Sequence, residues 1–470
     1  MRGRAALTAP DLPFDLLEKA VGVEDDLTAH AGHDGLVLRW PGHIDVPLSA
    51  FLPTVGRVVR QFGDRVDSRT TIVGVETASG RLVVKHATDD ESVGWLESAI
   101  RFHAAVSHPS VPPVLHHLRT PDGLATVQRW ASGDVLVDKF DPTVPGRDDP
   151  GSPYQRFLRL PVPEITDALR QLIHANVAAT GAGFVAVDLY DGCLIYDFER
   201  HALSLIDLDL YRPGPFVLET DRQYGSSAFM APEEWQRGAT IDERTTVFTL
   251  GRFAQVLLGC ERDDAAERDD FRGSDSLFDI SMRACASDPA KRYQSVAALF
   301  RAWSVAIREE PGALPVRAAV RVLVLDEEGR TLLCQYGDDA VGRTWWVPPG
   351  GGQEAGESDL ATARRELREE LDRSDLEIGK RIGSRAGGTV LVEGRRFVQE
   401  ERYYLCRCSH FDVAPDVIER GRSEGIRDIR WWTSAELRDQ AVDTGPRRLP
   451  ELLVQIAAGD LPAVDSDLGW

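Results

Sequence analysis

Four glutamates in one short stretch, Glu357, Glu366, Glu369 and Glu370, are spaced so that they could act together. Glu366, Glu369 and Glu370 stand at i, i+3 and i+4, positions that share one face of an α-helix. Three like charges so placed repel each other and weaken the helix unless a cation neutralises them. Glu357 lies one turn earlier, and Gly350, Gly351 and Gly352 before it allow the backbone to approach a ligand closely. Ser358 is suited to cap the helix that follows. An ordinary solvated face would mix acids with bases, as Arg364, Arg365 and Arg368 do in part. The detailed spacing favours a metal cluster: Gly351, five residues, Glu357, seven residues, Arg365-Glu366-Leu367, one residue, Glu369-Glu370.

That spacing resembles the signature box of Nudix hydrolases. Trp346 ahead of "PPGGG" and "IRDIRWWTSAEL" further on resemble the family's usual flanks. The resemblance implies an α/β/α sandwich on a mixed sheet, with the box as loop–helix–loop. It implies hydrolysis of a nucleoside diphosphate linked to some group X. A diphosphate shields itself with negative charge, so an attacking water needs help from a cation. By resemblance, Glu366, Glu369 and Glu370 bind Mg2+ or Mn2+, Arg365 orients them, and Glu357 supports the site. An acid from outside the box often joins such a site, and Glu401 and Glu424 are the candidates. The family's glycine after the glutamate pair is here Asp372, and its hydrophobe is Arg373. A left-handed helix end is expected there, which Asp tolerates better than most residues.

The longer chain in front carries weaker fragments in a telling order. "RLVVKHA" puts Lys85 at the end of a strand, and "SHPSVPPVL" follows a helix. "GFVAVDLYDGCLIYD" carries Asp188, "LSLIDLDLY" carries Asp207 and Asp209, and "YGSSAFMAPEEW" carries Glu233. "ACASDPAKRYQSV" ends the series with Arg292. Together they resemble the protein-kinase fold. The resemblance implies that Lys85 contacts ATP phosphates, Asp207 binds magnesium, Asp188 is the base, and Glu233 pairs with Arg292.

The departures from that family cluster at the presumed chemistry. Ala186 and Val187 stand before Asp188, Tyr190 replaces a lysine, and Cys193 replaces the magnesium-binding Asn. Only Gly63 and Gly74 remain of the glycine-rich loop. Asp191 or Asp209 could supply the missing oxygen. For the helix partner of Lys85, Glu97 is nearest, although spacing points to Ala99. An active phosphotransferase, on a protein or small-molecule acceptor, and an inactive nucleotide-binding scaffold both stay open.

Composition bounds these readings. A chain of 470 residues exceeds one ordinary core. The formal net charge of −21, with no basic patch, argues against nucleic-acid polymers as partners but not against phosphorylated small molecules bridged by a cation. Six scattered cysteines, including Cys406 and Cys408 on one strand face, suggest reduced thiols in a cytoplasmic protein. The N-terminal residues lack a signal-peptide core, and no apolar run approaches a membrane span.

The expectation is a multidomain α+β protein. A small extension (1–50, with a helix in "DLPFDLLEKAVGV" and a strand in "GLVLRW") precedes a bilobal protein-kinase-like domain (51–307). A linker (308–314) leads to a Nudix domain (315–462). Its function is metal-dependent pyrophosphohydrolysis of a nucleotide diphosphate. The alternatives are a kinase with an accessory Nudix domain and a pseudokinase scaffold regulating that domain.

Overall fold

The computed structural model describes residues 40–62, 70–78, 80–138, 144–260, 262, 265–338, 343–392, 394–422, 425–440, 442–464, 466 and 468. It also describes the backbone of two short paired strands, His30–Ala31 and Val37–Leu38, the second within the expected "GLVLRW" strand. The helix expected in "DLPFDLLEKAVGV", Gly63 and Glu424 lie outside the described residues.

The front part begins with a five-stranded antiparallel sheet. Its strands are β1 (Arg57–Phe62), β2 (Thr70–Thr77), β3 (Gly80–Ala87), β4 (Val114–Thr120) and β5 (Gly123–Arg129), in the order β1-β2-β3-β5-β4. Strands β2 and β3 form a hairpin that closes at Thr77 opposite Gly80. Helix α1 (Leu48–Val55) packs Leu48 and Leu52 under this sheet with Trp40 and Ile44, so residues 40–50 share the sheet's core. Helix α2 (Asp90–Ala105) connects β3 to β4. Asp89 caps it by accepting from the Ser92 N–H at 3.2 Å, and Asp90 and Glu91 favour the positive end of the helix.

After the sheet the chain becomes mainly helical. Helices α3 (Val162–Gly181), α4 (Glu243–Leu257), α5 (Asp275–Ala284) and α6 (Val296–Ala306) bury one large apolar cluster that includes Leu169, Leu172, Phe253 and Trp303. A short hairpin, β6 (Leu194–Asp197) with β7 (Ala202–Leu205), lies against α3. Gln171 of α3 accepts from the Leu203 N–H and donates to the His201 carbonyl.

The C-terminal part is a seven-stranded mixed sheet: β8 (Val316–Leu325), β9 (Thr331–Asp338), β10 (Arg343–Val347), β11 (Gly350–Gly352), β12 (Ile378–Val392), β13 (Arg395–Arg407) and β14 (Asp428–Trp432). Strands β8 and β13 run parallel and the other pairings are antiparallel. Helix α7 (Asp359–Leu371) and helix α8 (Pro415–Gly421) cover one face, over Val320, Val322 and Val324. Helices α9 (Ser434–Asp439) and α10 (Leu449–Ala457) cover the other, over Leu323 and Leu325. Strand β8 is buried on both faces, which explains its almost unbroken Val/Leu run. Strands β8 and β9 pair at Leu325 opposite Thr331. The glycine strand β11 takes the place beside Ala319, Val320 and Arg321. Cys406 and Cys408 pack on the same apolar cluster as α7, and every described cysteine is free.

The expected linker is docked rather than loose. Buried Glu310 accepts from the Ser274 N–H at 3.1 Å, and Arg308 pairs with Glu400. The far end of the β12–β13 hairpin reaches α3. Arg396 bonds Glu164 at 2.5 Å and Asp167 at 3.0 Å, and Arg170 donates to Thr389 at 2.8 Å. No helix among the described residues is long and apolar enough to cross a membrane.

Candidate active site

The glutamate run forms α7, and Ser358 caps it by accepting from the Ala361 N–H at 3.3 Å. The helix ends at Asp372 in the left-handed region, φ 57° and ψ 32°. There the N–H groups of Asp372 and Arg373 bond back to the carbonyls of Arg368 and Leu367. The departure from the box thus leaves the helix terminus intact.

Arg365 gathers the acids. Its guanidinium donates to Glu357 Oε1 at 2.9 Å, Glu366 Oε1 at 2.7 Å, Glu369 Oε2 at 3.0 Å and the Gly352 carbonyl at 2.8 Å. Hydrogen bonds from Arg365 hold the Glu357 carboxyl at about 2, below the ordinary range, and Thr362 donates to it as well. Burial raises the Glu366 carboxyl above its ordinary value although Arg365 pulls it down.

The glycines do something other than admit a ligand. A Cβ on Gly351 would sit 2.5 Å from Glu366 Oε1, so its bareness makes room for that carboxylate. Gly350, at φ 137°, donates its N–H to Glu370 Oε2 at 2.7 Å. Tyr336 donates its hydroxyl to the other Glu370 oxygen at 2.8 Å. Burial pushes the Glu370 carboxyl up to about 7, against the pull of Arg321, Tyr336 and the Gly350 N–H. Glu370 therefore has both oxygens engaged. Glu369 is 41% exposed along its side chain, and Glu366 keeps Oε2 without a hydrogen bond among the described residues.

This donor set fits a hard divalent cation in a particular way. Among the described residues no three His, Cys, Asp or Glu side chains form a ready metal group. Glu366 and Glu369 can offer two carboxylates. Magnesium ordinarily takes one or two carboxylates and completes its octahedron with water and substrate phosphate.

Glu401 has its carboxylate engaged by other side chains. It is 1% exposed, accepts from Arg321 at 3.2 Å, Gln399 at 2.9 Å and Tyr403 at 2.7 Å, and lies 2.8 Å from Arg385 as an ion pair. Burial would raise its carboxyl, yet Arg385 and Arg321 outweigh burial and hold it at about 2. Sequence reasoning missed Tyr336 and Arg321 altogether. Their contacts depend on strand register, for which a single sequence carries no local signal. Arg402 and Tyr404 were missed in the same way. Both hold Asp359 in the first turn of α7.

In the front part, Lys85 and Asp207 line a cleft of about 430 Å³ with Ile72, Val83, Gln128 and Trp130. Lys85 Nζ bonds Asp207 at 2.9 Å and Asp209 at 2.7 Å. Asp188 and Asp207 both adopt positive φ, 55° and 62°, an uncommon conformation for side-chain-bearing residues. Of the two substitute acids, Asp209 lies beside Asp207, whereas buried Asp191 pairs with Arg147 at 2.5 Å. Glu97 pairs with Arg119 at 3.7 Å rather than with Lys85, and Ala99 is buried. Gly74 lies on β2, where a Cβ would meet the Trp130 ring at 2.5 Å. Arg292 grips Glu233 with two bonds of 2.6 and 2.8 Å.

No curated protein matches the chain. The family model of the NUDIX domain does match, over residues 315–453, so the part of the chain that carries the glutamate cluster is a NUDIX domain.

Proposed function

We propose that the C-terminal site hydrolyses the diphosphate bond of a nucleoside diphosphate linked to a further group. The observation that carries this reading is Arg365 holding Glu357, Glu366 and Glu369 together against the Gly352 carbonyl, inside the matched domain. Glu366 and Glu369 would hold Mg2+ or Mn2+, with Glu370 as a further carboxylate at the same place. Bound there, the cation supplies charge neutralisation at the phosphates and activation of the attacking water. Arg365 keeps two carboxylates pointing the same way, and Glu357 anchors Arg365. Glu370 keeps the glycine turn seated against the helix. The test is a panel of nucleoside diphosphate derivatives with magnesium and with manganese, products identified. Hydrolysis that persists in Glu369→Gln would sink the assignment.

A second reading concerns the front part, residues 51–307, joined through 308–314 to a Nudix domain over 315–462. We propose that it is a protein-kinase-like domain whose cleft binds ATP. The five-stranded sheet followed by a helical region supports it, as do Lys85 facing Asp207 and Asp209 and the Glu233–Arg292 pair. By that reading Lys85 meets the phosphates, Asp207 binds magnesium with Asp209 beside it, and Asp188 is the base. Binding is better supported than transfer, because Tyr190 and not a cation lines the cleft beyond Asp188. Equilibrium binding of ATP, weakened in Asp207→Ala, tests the site. Transfer of labelled phosphate by wild type would extend the reading to catalysis.

A further inference from the structure

Glu401 has the residue type of a ligand or base for the diphosphate site, but its surroundings deny it that work. Its carboxylate accepts from Arg321, Gln399 and Tyr403, forms an ion pair with Arg385, and is 1% exposed. What it does touch leads back to the site. Arg321 leaves Glu401 and donates to the carbonyl of Pro348 at 3.3 Å and to that of Gly350. The carbonyl between them, Pro349, accepts from the Val322 N–H at 2.8 Å. Three consecutive carbonyls of the turn are thereby fixed from β8, two of them by one guanidinium. The same turn sends the Gly350 N–H to Glu370 and lays Gly351 against the Glu366 carboxylate with no room for a Cβ. A shift of the turn by a few tenths of an ångström would disturb both glutamates.

We propose that Glu401 is a positioning residue: the buried counter-ion that holds Arg321 against the turn 348–350, and through that turn seats Glu366 and Glu370. The inference rests on the metal-dependent reading of the site. An arginine whose side chain is only 12% exposed is held best by a carboxylate partner, because an uncompensated charge there would draw water or move away. Groups that orient ligands from one layer out typically change metal affinity 10–100-fold when removed.

The test uses the full chain with two readouts that need no substrate. One is Mn2+ affinity by paramagnetic titration. The other is amide hydrogen exchange of the segment 345–352. Glu401→Gln is expected to weaken Mn2+ binding about 10-fold or more and to speed exchange in that segment. Arg321→Met should do the same, and the double variant should lose no more than the larger single loss. Should Glu401→Gln fail to fold, Glu401→Asp keeps the charge, shortens its reach and should give a smaller change of the same kind. Weaker Mn2+ binding in Glu401→Gln with unchanged exchange would make Glu401 a direct ligand and overturn the proposal. Additive losses in the double variant, or no change in either readout, would overturn it as well. If wild type hydrolyses no diphosphate in the panel, the assigned reaction fails while these readouts still decide the positioning role.

Discussion

Two places in this molecule set a single cation among carboxylates, and they do it differently. In the front cleft one lysine stands between Asp207 and Asp209, a compact point charge with an acid on either side. In the NUDIX domain one arginine fork spans Glu357, Glu366 and Glu369, with Glu370 alongside. One cation against two acids leaves a single net negative charge. One against three leaves an excess of negative charge and open oxygens on Glu366 and Glu369. The second arrangement is the one poised to take up a divalent cation, and it is also the one whose residue spacing matches a family pattern in full up to Asp372.

The sharpest way to break the comparison is Glu369→Gln. Diphosphate hydrolysis should fall about 10³-fold, while ATP binding at the front cleft stays as in wild type. Loss of both would show that the two sites do not act separately. Next in size is Glu233→Gln, which leaves buried Arg292 without its counter-charge. Breaking such a pair should cost about 3–5 kcal/mol in urea unfolding, with little effect on Mn2+ affinity.

One glutamate in each region should also answer to pH in opposite senses. Burial raises the Glu234 carboxyl to about 8 while it accepts from the Ala231 N–H at 2.7 Å. A raised folded value means that the folded state holds the proton longer. This group's contribution is therefore complete below about 4.5 and is lost as pH climbs through 8. Glu234→Gln should flatten that decline, gaining on the order of 2 kcal/mol at pH 8.5 relative to wild type and nothing at pH 4. Glu357, held at about 2, works the other way: its contribution is present above about 4.5 and fades as pH falls toward 2. The smallest effect belongs to Glu97→Ala. Because Glu97 meets Arg119 and not Lys85, ATP affinity should change less than about twofold.

These contrasts also show which features a bare sequence can carry. The box was readable because its parts lie within a few helical turns, where a spacing of three or four residues fixes which side chains meet. Asp372 was readable for the same reason, since a helix end is a local event. Tyr336, Arg321 and the partners of Glu401 were not. Tyr336 meets Glu370 across 34 residues and Arg321 meets Glu401 across 80, through a register set only when the sheet assembles. What packs beside Gly74 was equally illegible: the space it leaves is filled by Trp130, 56 residues on in the chain. The pairing of β8 with β11, at Ala319 to Arg321, likewise joins residues about 30 positions apart and leaves β9 only Leu325.

The docking of the β12–β13 hairpin on α3 has a thermal consequence. Asp167 and Arg170 are 2% and 1% exposed, and Thr389 and Arg396 from the other half of the chain cover and pair with them. If the NUDIX half melted first, it would strip those partners from a pair of desolvated charges, and the front half would lose stability at that moment. The two halves are thus expected to melt together, as one calorimetric peak. Arg396→Ala, by loosening that shared set of bonds, should split the peak in two.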